Sequence, residues 1–166
     1  MSSRFDQRHV LPGQALHILA ALLTLFGIFG LHAIQREQMG VLGLVGFVLT
    51  TIGTTLFFAD GLIALTIFPA LAVAAPNLLS VTGAMNSGAV LVAFIIIAAT
   101  AMIGYVVFAV AILRAGILPR AAALLFLLGG VLFNLPPGPV AMIVLTIGWI
   151  IWAVGSVWLA LKLLKV

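Results

Sequence analysis

The sequence predicts an all-α polytopic transmembrane bundle of about five spans, and three observations predict it. Only 6% of the 166 residues are charged, against 65% hydrophobic, whereas a soluble domain carries about 25% charge. So few charges cannot keep a surface wet, so lipid is the expected solvent. Apolar runs near the ~20 residues needed to cross a bilayer recur between Pro, Gly and charged breaks. No alternating strand pattern is present, and helices leave no backbone group unpaired in lipid.

Taken in order, the first span covers about 14–34, "QALHILAALLTLFGIFGLHAI". It follows "MSSRFDQRHVLPG" without a small-residue cleavage site, which reads as an uncleaved helix. Gln35, Arg36, Glu37 and Gln38 are expected to form a polar turn. The second span is placed at 40–68, ending before Pro69, and at 1.5 Å per residue it reaches roughly 43 Å, so it must tilt or project. Residues 70–87 are uncharged and rich in Asn, Ser and Pro. They are expected to be a loop carrying one short interfacial helix on Leu78, Val81 and Met85. The third span is 88–113, with Asn86-Ser87 as its N-cap. "RAGILPR" makes a basic turn, and Pro119 opens the fourth span, 119–133, where its missing N–H is not needed. That span is short for a full crossing, about 23 Å. "NLPPGP" breaks the chain, with Asn134 at the helix end, and the fifth span runs over 140–161. The whole of 1–166 is then one transmembrane domain.

Charge sets the orientation. Arg36, Arg114, Arg120, Lys162 and Lys165 fall on one side of a five-span map, and only Arg4 and Arg8 on the other. The positive-inside rule puts the C-terminus in the cytoplasm and the N-terminus outside, in a bacterial inner membrane. The net charge of +4 is therefore topogenic and implies no nucleic-acid partner. With no cysteine, disulfide and thiolate chemistry are excluded.

Few residues carry chemistry. Asp60 stands about 30 Å along the second span from Gly40. It is either an interfacial carboxylate near the outer headgroups or an intramembrane ion or proton site, the default suspicion for a buried acid. His17 and His32 lie on the first span, about 60° apart around the helix and ~22 Å apart along it. They are either polar helix-end residues or single ligands to a haem or pigment metal, since a bis-His site would need a third histidine inside the spans and His9 lies outside them. Tyr105 is the only tyrosine and needs a hydroxyl partner in a dry bundle. Trp158, near Lys162 and Lys165, reads as an interfacial anchor, and Trp149 and Trp152 as packing. Only Asp6, Glu37 and Asp60 are acidic. No catalytic motif, carboxylate pair or zinc-binding cluster is available, so no enzyme activity is expected.

Small residues form the richer pattern. Gly46, Thr50 and Thr54 recur at i, i+4, i+8, and Ala141, Gly148 and Gly155 at heptad spacing. Such stripes let another helix approach closely. Gly27 and Gly30 relieve the first helix in the same way. The stripes require a packing partner, either within the chain or in another subunit. The C-terminal part, "AILRAGILPRAAALLFLLGGVLFNLPPGP" and the span after it, resembles a group of small, uncharacterised multi-span bacterial membrane proteins. The resemblance rests on Arg-Ala-Gly-Ile-Leu-Pro-Arg at 114–120 and the proline-broken hairpin, and it implies no substrate, cofactor or functional residue. The expected function is that of a non-catalytic accessory or assembly subunit, in contact with lipid and with other subunits or itself. The alternatives are a small transporter or channel using Asp60, and a haem- or pigment-associated subunit using His17 or His32.

Overall fold

The structure is a computed structural model that describes residues 7–80, 82–135 and 141–163, with side-chain surroundings for 15–80, 82–135 and 143–163. Among the described residues it is an all-α bundle. Continuous helix runs over Gln7–Ala74 and is broken at one point, Gly40, with φ 56° and ψ −150°. That backbone conformation is essentially restricted to glycine. The break separates α1 (7–39) from α2 (41–74), which fold back on each other. His32 and Phe29 meet Phe47 at ring distances of 4.2 and 5.1 Å, and Gly61 presses on His17 and Ile18. Residues equally far from Gly40 thus face one another, the signature of an antiparallel hairpin.

Two expectations are corrected here. Residues 35–38 are not a turn but the last full turn of α1, and the chain reverses at Gly40 alone. Gln35 is fully buried and donates its Nε2 to the Leu31 carbonyl at 3.4 Å, while Arg36, Glu37 and Gln38 stay exposed. A one-glycine reversal needs no polar loop, so the charges ride on the helix end instead. Nor does α2 stop at Phe68. It passes through Pro69 to Ala74, about 50 Å in all. A proline deletes one helical hydrogen bond, and apolar helices tolerate that loss.

The expected interfacial helix over Leu78 and Met85 is replaced by two separate 3-10 turns, Pro76–Leu79 and Ala84–Asn86, and Val81 lies outside the described residues. Asn86 Nδ2 donates to the Ser80 carbonyl at 2.9 Å and ties the two turns together. Then come α3 (Gly88–Ala115), α4 (Arg120–Leu132) and α5 (Ala141–Leu163). Ser87 occupies the N-cap position of α3, but its hydroxyl donates to the Gly83 carbonyl at 3.0 Å and does not cap the helix. Gly116, at φ 69°, ends α3 by returning its N–H to the Ile112 carbonyl. Asn134 ends α4, donating Nδ2 to the Gly130 carbonyl at 2.8 Å.

Two antiparallel seams hold the bundle. Along the first, a Cβ on Gly46 would lie 2.6 Å from the Phe108 nitrogen, one on Gly53 2.5 Å from the Ala101 Cα, and one on Gly104 2.5 Å from the Thr50 nitrogen. Along the second, the same construction puts Gly129 2.3 Å from the Trp152 nitrogen, Gly148 2.7 Å from that of Phe133, and Gly155 2.5 Å from that of Phe126. The α2 positions 46, 50 and 53 thus face 108, 104 and 101, and the α5 positions 148, 152 and 155 face 133, 129 and 126. Both seams use the same four-then-three spacing, which repeats every heptad and keeps one line of contact facing its neighbour. Apolar surroundings offer helices no hydrophobic drive to associate, so backbone-to-backbone contact at small residues is what binds them. The seam on α2 therefore runs through Gly53 as well as Gly46 and Thr50. Ala141, whose side chain lies outside the described surroundings, precedes Gly148 on α5.

Gly40 and Gly27 provide a test. Gly40→Ala forces a side chain into a glycine-only conformation and is expected to cost about 1–3 kcal/mol in detergent-solubilised thermal unfolding. At Gly27 a Cβ meets nothing within 4 Å, so Gly27→Ala is expected to leave stability unchanged or raise it by up to about 1 kcal/mol. Equal effects at the two positions would contradict the placement of the reversal.

Candidate functional site

The polar chemistry of the interior converges where α4 and α5 meet the first three helices. Tyr105, 2% exposed, stands on α3 one residue beyond the Gly104 contact, so close backbone packing carries its ring into the middle of the bundle. Gly130 leaves room for it, since a Cβ there would lie 3.0 Å from the Tyr105 Cβ. Phe126, Phe133 and Trp152 surround the ring edge-on at 5.6, 5.6 and 5.8 Å. Trp149 stacks on Phe133 at 4.4 Å and meets His17 edge-on at 5.9 Å. Edge-to-face and offset-stacked pairs of this kind add stability beyond the area they bury. The Tyr105 hydroxyl shares a hydrogen bond of 2.9 Å with the buried Thr54 hydroxyl. This is the partner a lone tyrosine in a dry interior requires.

A cavity of about 20 Å³ lies at this junction, lined by His17, Thr24, Thr54, Tyr105, Trp149 and Trp152 among others. Two enclosed nitrogens beside it, His17 Nε2 and Trp152 Nε1, have no hydrogen-bond partner. Elsewhere hydroxyls turn back to their own helices. Thr24, Thr55, Thr66 and Ser156 each donate to the carbonyl four residues earlier, at 2.6–2.8 Å. Such back-bonding satisfies a hydroxyl where water is absent.

The structure brings His17 and Asp60 together, which sequence spacing did not suggest. A Cβ on Gly61 would lie 2.8 Å from the His17 ring, so the backbone next to half-buried Asp60 packs on that imidazole. His32 stays apart. It lies flat on Phe47, with Nδ1 enclosed and unpartnered. His17 borders the 20 Å³ cavity, and one face of His32 is covered by the Phe47 ring. Among the described residues no three His, Asp or Glu side chains come close enough to hold a metal ion. The stripe residues Gly46, Thr50, Gly148 and Gly155 are spent on the internal seams, and Thr54 on Tyr105.

Reading the antiparallel registers together puts Arg36, Arg114, Arg120 and Lys162 at one end of the bundle. The contact of Gly30 with Leu163, 3.8 Å from a Cβ there, brings the end of α5 beside the last third of α1. Asp60 and His17 lie toward the opposite end. Lys165 falls outside the described residues.

Sequence reasoning missed Phe133 and Trp152 as parts of one site, and with them Phe57 of α2, whose ring meets Phe133 edge-on at 6.3 Å. The only signal for Phe133 and Trp152 was the crowding of aromatics on the last two helices, and Phe57 had none. The chain matches no family model, no curated protein and no solved structure, so the site is read from its own residues. The Thr54–Tyr105 pair predicts a measurable coupling. A double-mutant cycle of Thr54→Val and Tyr105→Phe is expected to give about 0.6 kcal/mol, the average for hydrogen bonds between membrane helices. Strictly additive effects would contradict a hydrogen bond between the two side chains.

Proposed function

We propose that this chain is an integral membrane protein of the bacterial inner membrane and a non-catalytic accessory or assembly subunit. Three helical stretches, Ala15–Ala74, Gly88–Ala115 and Ile143–Leu163, are long and apolar enough to cross a bilayer. The reversal at Gly40 gives the first of them two crossings. At 13 residues, about 20 Å, α4 is short for a ~30 Å core, so the map of about five passes counts it as a partial crossing packed on α3 and α5. The basic end, with Arg36, Arg114, Arg120 and Lys162, then faces the cytoplasm.

The observation that carries the reading is how the polar groups are distributed. The outward faces bear large apolar side chains such as Phe26, Ile96 and Ile150, all more than half exposed. The Thr54 and Tyr105 hydroxyls pair with each other in the interior, and Thr24, Thr55 and Ser156 bond back to their own helices, while the enclosed Thr50 and Thr51 hydroxyls have no partner. A molecule built this way packs among apolar neighbours and is poorly suited to passing hydrophilic solutes. Because the glycine seams are used internally, a partner subunit would meet the leucine-, isoleucine- and phenylalanine-covered faces. Purification from the native source in mild detergent is expected to recover the chain at fixed stoichiometry in a larger assembly. Recovery alone would count against the accessory role.

The proximity of His17 to Asp60 favours one second reading, an ion or proton site at the end opposite the basic residues. It predicts that Asp60→Asn abolishes flux in reconstituted vesicles while leaving expression and folding intact. Unchanged flux would remove Asp60 from any transport role.

A further inference from the structure

We propose that the cavity between His17, Thr54, Tyr105 and Trp152 binds one neutral oxygen atom, which accepts the Trp152 indole N–H. Its volume of about 20 Å³ exceeds the roughly 10–15 Å³ that one water needs. Bound oxygens of this kind also need two to four polar partners. Thr54, Tyr105, His17 and Trp152 all line the cavity, and the enclosed His17 Nε2 and Trp152 Nε1 have no other partner. Thr54 and Tyr105 are each 2% exposed and Trp152 6%.

The demand for an acceptor is strongest at Trp152. An indole nitrogen can only donate, and an enclosed donor without an acceptor is costly because nothing else solvates it. Trp152 lies ten residues before Lys162, about 15 Å along α5, half the thickness of a ~30 Å hydrocarbon core. In the membrane placement proposed above, neither bulk water nor a lipid headgroup reaches that depth. The Tyr105–Thr54 bond uses one hydroxyl hydrogen and leaves the other hydroxyl free to donate to the same oxygen. No Lys, Arg, Asp or Glu lines the cavity, so an ion would be left without a counter-charge, and the occupant is neutral.

Such an oxygen has two sources. One is a trapped water. The other is the carbonyl end of a membrane-dissolved lipophile, because an apolar crevice of about 270 Å³ between α1 and α5 shares Ala20, Thr24 and Trp152 with the cavity wall. An enclosed apolar cavity of about 150 Å³ is enough to take up benzene, so the crevice has room for a ring or a short hydrocarbon segment. The inference rests on the fold and does not depend on the accessory role.

The experiment uses the unmodified full chain, ¹⁵N-labelled at its tryptophan indoles, in detergent micelles. Trp149→Phe and Trp158→Phe each remove one resonance and so identify that of Trp152. The Trp152 indole proton is expected downfield of an unbonded indole, with slow exchange. A cross-relaxation peak to water then assigns the oxygen to water. A bonded shift without that peak, together with one equivalent of a carbonyl compound in the organic extract of the same sample, assigns it to a lipophile. An unbonded shift for Trp152 overturns the proposal, whatever assembly the chain is purified in.

Discussion

Everything in this bundle depends on how closely two helix backbones can approach. Where the surroundings are as apolar as the side chains, burying leucine against leucine gains little, and association falls to van der Waals contact and hydrogen bonds. At six places a glycine lets one backbone touch the next at distances that a single Cβ would forbid. Three join α2 to α3 and three join α4 to α5, with the same spacing and the same antiparallel sense. The order is exchanged between the pairs: α2, which comes first, carries the outer two glycines of its seam, whereas in the second pair α5, which comes last, carries them. Two hairpins of one construction thus stand side by side, joined through Gly130 and Tyr105 and flanked by α1.

This construction explains why the polar chemistry lies where it does. Thr50 and Thr54 follow Gly46 on α2, and Tyr105 follows Gly104 on α3, so a seam that needs small residues also delivers three hydroxyls to its edge. The second seam brings Trp152 against Gly129, and with it an indole N–H that finds no acceptor on neighbouring helices. The aromatic rings of Phe126, Phe133 and Trp149 fill the angle between the hairpins. The junction is consequently apolar, with a few hydrogen-bonding atoms at its centre.

Much of the fold was legible in the sequence because helix ends are local events. The starts of α3 and α4, the left-handed Gly116 after "ILRA" and the termination near Asn134 all follow from residues within a few positions of the break. Gly46, Gly148 and Gly155 stood out because their spacing is visible along one helix. Gly53 did not, since Thr54 offered an equally regular continuation and only the facing Ala101 distinguishes them. The reversal at Gly40 was hidden for a different reason. Charge marks where a chain meets water, whereas a single glycine decides where it turns, and here the two are offset by a few residues. The approach of His17 to Asp60, and of Trp152 to Tyr105, depends on how separate helices pair, which periodicity along one helix does not encode.

The most direct measurement is the unfolding transition of Gly53→Leu in detergent, compared with the retention of any co-purifying partner. Gly53 meets Ala101 of the same chain, so the substitution should lower or abolish the chain's own transition before any partner is involved. A variant that unfolds like the wild type, yet loses its partners, would mean that the glycine seams face outward to other proteins. The account of two internally sealed hairpins would then fail.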